Sequence, residues 1–276
     1  MSPTHLDRWA EAFAGRRVLV LSGAGCSTPS GIPDYRGPTG RLRRRRPMTF
    51  DTFRGSEAAR RRYWARAVVG WPRFAAARAN PAHLALADLE ARGVVTGIVT
   101  QNVDGLHGDA GSRNVVELHG SLHAVVCLGC GRRHRRSDVQ SWMLAANPTW
   151  EPTWAAAAPD GDAHLPDDRI DTFVVAPCPT CGGILKPDVV FFGEAVPRPR
   201  VERVRAWVDA CEALWVVGSS LAVFSGYRFV RRAAERGIPV GIVNVGPTRG
   251  DDLATLRTHA DVAAFLPALA RRLSPA

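Results

Sequence analysis

The chain has 276 residues, 46% of them hydrophobic and 22% charged, with a formal net charge of +10. That length suits one large domain or two modest ones with a sizeable core. The composition excludes a low-complexity or fibrous chain, and no apolar run reaches the roughly 18 residues of a membrane-spanning helix. Lys186 is the only lysine, so the positive charge is almost all arginine. With abundant Ala and Gly this reads as coding bias and solvated surface more than as the footprint of an anionic partner, and nucleic acid is not an expected ligand.

Residues 1–17 carry Asp7 and Glu11 among scattered apolar positions, which predicts a short helix and no secretory leader, hence a cytoplasmic location. The apolar run from Arg17 to Leu21 predicts a strand that enters Gly23-Ala24-Gly25-Cys26-Ser27. Glycines let a backbone approach a pyrophosphate, but the spacing is not G-x-G-x-x-G, and alone the segment also fits a tight turn. Gly31-Ile32-Pro33-Asp34-Tyr35-Arg36-Gly37 follows, with an Asp and an Arg on a Gly/Pro-bounded loop suited to contacting a ligand. Residues 39–78, rich in Arg and aromatics, predict a helical excursion; the arginine run 41–46 reads as a solvated loop or a phosphate-steering patch.

A helix is predicted over 81–92, stopped by Gly93, and a strand over 94–99 that runs into Thr100-Gln101-Asn102-Val103-Asp104. A carboxamide pair and a carboxylate at a strand end can orient a ribose and hold an amide. In Glu117-Leu118-His119-Gly120 a histidine is offered as general base, with His107, His123 and His134 as rivals that position alone does not separate. Residues 145–171, rich in Pro, Asp and Ala, read as a long loop. Further on, a helix over 201–212 precedes a strand over 214–217 that ends in Gly218-Ser219-Ser220. A helix over 227–236 then precedes a strand over 239–243 that ends in Asn244-Val245-Gly246. The pattern is α/β, with strands buried on both faces and a nucleotide crevice at their carboxyl ends.

Six cysteines in a long chain without an export segment argue against a disulfide framework. Four of them form two Cys-x-x-Cys pairs, Cys127/Cys130 and Cys178/Cys181, separated by 47 residues. Each two-residue gap lets both sulfurs of a turn face one cation, and four thiolates close the shell of a zinc ion, which makes the metal structural rather than catalytic. Cys26 and Cys211 stand alone; for Cys26, a buried thiol and an oxidation-sensitive loop are the competing readings.

Together these motifs, with Leu118-His119-Gly120, Lys186-Pro187-Asp188-Val189-Val190-Phe191-Phe192-Gly193-Glu194 and the segments already quoted, resemble the sirtuin family of NAD-dependent protein deacylases over about residues 18–266. Arg62-Tyr63-Trp64-Ala65-Arg66, Asn147-Pro148-Thr149-Trp150 and Gly246-Pro247-Thr248-Arg249 resemble class II of that family, and the composition a bacterial member. The resemblance implies a discontinuous Rossmann-like domain (1–38, 79–120 and 187–276), a helical excursion with the cofactor loop (39–78) and an inserted zinc-binding domain (121–186). It implies NAD as co-substrate, one structural zinc and acyl-lysine proteins as partners, with nicotinamide and O-acyl-ADP-ribose as products. By the same resemblance His119 is the proton acceptor, Asn102 orients ribose and water, and Asp104 holds the nicotinamide carboxamide. Gly23, Ala24 and Gly25 cradle phosphate, with Asp34, Tyr35 and Arg36 on the cofactor loop and Gln101 and Val103 beside Asn102. Gly218, Ser219 and Ser220 meet phosphate, while Asn244, Val245, Gly246 and Val262 meet adenosine. Val190, Phe191, Gly193 and Glu194 pair with the substrate backbone. Protein mono-ADP-ribosylation, and non-catalytic NAD or ADP-ribose binding, are the alternatives.

Overall fold

The computed structural model describes residues 3–34, 47–150, 163 and 165–273. Its centre is a six-stranded parallel sheet of β1 (Val18–Ser22), β2 (Val95–Thr100), β3 (Val115–Glu117), β7 (Ala213–Val217), β8 (Val240–Val243) and β9 (Leu256–Thr258), in the order β3-β2-β1-β7-β8-β9. Every residue of β1, β7 and β8 is buried. That follows from their almost continuous apolar runs, half of whose residues are Val or Ile, which suit a strand covered on both faces. In register, Leu21 lies between Val99 of β2 and Val216 of β7.

One face is covered by α1 (Pro3–Phe13), α4 (Pro81–Ala91) and α10 (Val262–Arg272), whose Trp9, Phe13, Leu86, Leu89 and Phe265 pack around Trp215. The other is covered by α8 (Arg198–Ala210) and α9 (Phe224–Glu235), with Val204, Val208, Phe229 and Val230 against Leu19, Leu21 and Val216. The chain turns from one half of the sheet to the other at β1, which has β2 on one side and β7 on the other. In open parallel sheets ligands bind at that switch point, outside the carboxyl ends of the strands.

A second sheet, antiparallel, takes β4 (Gly120–Cys127), β5 (Arg133–Arg135) and β6 (Leu185–Val189) in the order β5-β4-β6. With α6 (Arg136–Ala145) it packs Val125, Val139, Met143 and Leu185 against Phe53, Trp64 and Val68 of α2 (Phe50–Gly55) and α3 (Glu57–Ala75). The helices between β1 and α4 therefore share a core with the cysteine-bearing insert. Trp64 Nε1 donates to Leu185 O (3.1 Å), and Arg136 lies over the rings of Trp64 and Trp71 while donating to Ala67 O (3.0 Å).

Residues 145–171, expected as a loop, differ in part. A short helix, α7 (Asp167–Asp171), ends the stretch. Asn147 ties its start down, donating to Met143 O and Val174 O and accepting from Val174 N, each at 2.7 Å. Residues 151–162 and the arginine run 41–46 lie outside the described residues. No helix among the described residues is long and apolar enough to cross a membrane.

Candidate functional site

The loops after β1, β2, β7 and β8 converge on one cleft of about 960 Å³ that continues between the two sheets. Gly23, Ala24, Gly25, Asp34, Gln101, Asn102, Val103, Asp104, His119, Gly218, Ser219, Ser220, Asn244, Val245, Gly246 and Val262 all line it, as do Val190, Phe191, Gly193 and Glu194. Tyr35 and Arg36 lie outside the described residues.

The floor is the close approach of two loops. A Cβ on Gly23 would stand 2.7 Å from Ser219 Cβ, and one on Gly25 2.9 Å from Gly218 O. Gly25 N donates to Gly218 O (2.8 Å) and Gln101 Nε2 to Ser219 Oγ (2.7 Å), so three strand ends are bonded to one another. Bare backbone at the switch point of a parallel sheet fits a nucleotide pyrophosphate. Asn244 Nδ2 donates to Val245 O and Gly246 O, both at 3.1 Å, which shapes the loop after β8.

Beside this floor, Asn102, Ser27 and Asp104 form a buried chain. Asn102 Nδ2 donates to Gly23 O (3.0 Å) and Ser27 Oγ (2.9 Å), and the Ser27 hydroxyl donates to Asp104 Oδ2 (2.7 Å). Asp104 Oδ1 accepts from Leu106 N (3.0 Å) at the start of α5 (Leu106–Asp109). A carboxamide and a carboxylate so held are preorganised to bind a ligand. Ser27 was not among the expected site residues, although it stands in the glycine motif.

His119 follows β3 and leads into β4. Its Nδ1 donates to Gln101 O (3.0 Å), since a carbonyl can only accept, so the neutral ring carries a bare Nε2. That nitrogen meets Ser225 Oγ at 2.8 Å. Burial, followed by Arg228 and Arg200, lowers the pKa of the ring against the opposing pull of the Gln101 carbonyl. The rivals are occupied elsewhere. His107 is buried beside Ser22 Oγ (2.8 Å), its pKa brought down to about 3 by burial. His123 Nε2 donates to Asp104 O (2.9 Å), and His134 Nε2 lies 3.7 Å from Cys178 Sγ. Of these four, only His119 lines the cleft.

Cys26, His83 and His107 bring one donor atom each within 4.8 Å of one another, all buried. Burial pushes the Cys26 thiol far up, which keeps it protonated and unreactive. Burial also lowers the pKa of His83 and His107.

The segment 190–194, expected to meet substrate, is held by main-chain and side-chain bonds. Val190 N donates to His119 O (2.8 Å), Phe191 N donates to Glu194 Oε2 (2.9 Å), and that carboxylate pairs with Lys186 Nζ at 3.0 Å. The Glu194 side chain thus braces its own turn.

The four paired cysteines stand together, Cys127 Sγ 3.4 Å from Cys181 Sγ and Cys130 Sγ 3.9 Å from Cys178 Sγ. Tetrahedral zinc with Zn–S bonds of about 2.3 Å sets its sulfurs about 3.8 Å apart, so the donor set fits that ion. Gly183 closes the turn, where a Cβ would stand 3.0 Å from Cys127 Sγ and 3.1 Å from Cys181 Sγ.

The chain is similar to known proteins along nearly its whole length. The NAD-dependent protein deacetylase of Xanthomonas axonopodis pv. citri (strain 306) is 53% identical over 271 residues, spanning 96% of this chain and 92% of the relative. NAD-dependent protein deacetylase 1 of Streptomyces coelicolor is 53% identical over 270 residues, spanning 98% and 90%. Among solved structures, a Sir2–p53 peptide–NAD+ complex is 28% identical with a TM-score of 0.75, covering 96% of this chain and 97% of that one. Sir2Tm bound to a propionylated peptide is 26% identical with a TM-score of 0.74, covering 98% and 99%. Residues 23–225 match the model of the Sir2 family, and with relatives this similar along nearly the whole chain, the protein belongs to that family.

Proposed function

We propose that this protein is an NAD-dependent protein-lysine deacylase and that His119 is its proton acceptor. The observation that carries the reading is the fixed tautomer of His119, which turns a bare Nε2 into a cleft floored by glycine backbone and walled by Asn102, Ser27 and Asp104. When bound, NAD supplies the ribose carbon that accepts the acyl oxygen and the hydroxyl that gives up a proton. The loops at Gly23–Gly25 and Gly218–Ser220 would hold its phosphates, and Asn244, Val245, Gly246 and Val262 its adenosine. Asp104 and Asn102 would fix the nicotinamide amide and the ribose, and His119 Nε2 would take the ribose proton. Val190, Phe191 and Gly193 would offer main chain to an extended peptide. We propose the domain division expected from the sequence, and Met48, Phe53, Tyr63, Trp64 and Val68 of its helical part share a core with the zinc-bearing insert. We place the chain in class II on the segments around Tyr63, which lines the cleft, and Asn147.

We take as the acyl end the part of the cleft wall where Tyr63 and Phe191 meet edge-on at 5.5 Å, with Met48 also on the wall. Such a wall favours neutral acyl groups over acidic ones.

The test is nicotinamide release from NAD with acetyl-, lipoyl-, long-chain-acyl- and succinyl-lysine peptides, recording product masses. Acyl-dependent release with O-acyl-ADP-ribose, strongest for neutral acyl groups, is expected; ADP-ribose on protein without deacylation would mark a transferase instead. His119→Ala should lower kcat by about 10²–10⁴-fold while ADP-ribose binding persists. Because the His119 pKa is lowered and the base must be neutral, the acid limb of kcat/KM should lie below the ordinary histidine range.

A further inference from the structure

Ser225 lies in the first turn of α9, half-buried, on the wall of the cleft. Its position is set by main chain as well as side chain. Arg228 Nε donates to Ser225 O (3.1 Å). A Cβ on the next residue, Gly226, would stand 2.6 Å from Gln101 Oε1, so α9 presses directly on the loop whose carbonyl orients His119.

The chemistry follows from the tautomer. With Nδ1 donating to Gln101 O, the neutral ring can only accept at Nε2, and the Ser225 hydroxyl 2.8 Å away must donate to it. Once His119 takes a proton, Nε2 carries hydrogen and needs an acceptor. The surroundings oppose that cation: the ring is largely buried, and the charged groups acting on it are Arg228 of α9 and Arg200 of α8, both of its own sign. Glu117, two residues ahead on β3, is bonded to Ser121 and lies near Asp104, His123 and Arg200. A hydroxyl is donor and acceptor at once and can serve both states of the ring by rotating.

We propose that Ser225 is a positioning residue for proton transfer: its hydroxyl donates to Nε2 in the resting enzyme, yields that lone pair to the ribose hydroxyl, and accepts the Nε2–H once the proton has moved. The ribose O–H bond breaks and an Nε2–H bond forms, while the proton of Ser225 stays on Oγ throughout. This rests on His119 being the base.

The test uses the full zinc-loaded chain and the variants Ser225→Ala, Ser225→Thr, Ser225→Val and His119→Ala, with melting temperature and ADP-ribose affinity as controls for fold and site. The Thr/Val pair has the same shape and differs only in the hydroxyl. Hydrogen bonds to charged groups are stronger than neutral ones, so losing the hydroxyl costs the imidazolium more than the imidazole. The Ala and Val variants should therefore move the acid limb of kcat/KM down by about half a pH unit and lower kcat about three- to tenfold, while Thr keeps both near wild type. Wild-type profiles in Ala and Val overturn the proposal, and so does faster turnover, which would make the hydroxyl only a plug that competes with the ribose. If His119→Ala deacylates at close to the wild-type rate, the base assignment itself fails; if its kcat falls by about 10²-fold or more while Ser225→Val matches wild type in rate and profile, only the role of Ser225 fails.

Discussion

Gly218 is where the two halves of the sheet meet most closely. Its φ is 60°, a region costly for residues with a Cβ, and an added Cβ would stand 2.5 Å from Cys26 N and 2.7 Å from Gly25 C. Both neighbours are backbone, so relief requires the glycine loop to move away. Gly218→Ala should destabilise the protein by about 2–4 kcal/mol, and the surviving folded fraction should bind ADP-ribose more weakly. Denaturant melts and a calorimetric titration check this; wild-type affinity in the folded variant would mean that the close approach of the two loops is not what shapes the proposed phosphate cradle. The same packing buries Cys26 completely, which makes it a filler of that contact rather than an oxidation sensor.

At the scale of elements, Lys186 is the clearest case of one side chain shaping a segment. Its ammonium is buried, lies 4.9 Å from the Phe191 ring centroid and pairs with Glu194, which in turn accepts from Phe191 N. Lys186→Met keeps the stem but leaves Glu194 without its counter-charge, so the 190–194 turn should loosen. We expect the peptide KM to rise about tenfold with kcat changed less, because the lost order concerns binding rather than proton transfer; a kcat effect with unchanged KM would contradict this. The long apolar strands and the loops they feed were legible because burial on both faces leaves an unbroken hydrophobic run. The cysteine pairs were legible through their spacing. Strands β3 and β9 were not, since each is only three residues long and is defined by pairing to a neighbour. Helix α10 was hidden by Pro267 in its interior. Helix α9 begins at Phe224 behind Val223, which offers no side-chain cap, so its start was read late, at Tyr227, and Ser225 fell outside every motif.

At the scale of the molecule there are two kinds of core. The parallel sheet is closed on both faces by α1, α4, α8, α9 and α10, whereas the antiparallel sheet joins a hydrophobic cluster with α2, α3 and α6 and ends at the four cysteines. A structural zinc contributes its binding energy to folding, so the two cores should differ in their dependence on it. Chelation should remove hydrogen-exchange protection first from β4, β5 and β6, while β1, β7 and β8 stay protected. Activity should vanish with the first group, because Val190 N is bonded to His119 O and the segment proposed to pair with substrate continues β6. ADP-ribose binding should outlast deacylation, since the glycine cradle belongs to the parallel sheet. Simultaneous loss of protection in both sheets would show instead that the α2–α3 contacts couple them into one cooperative unit.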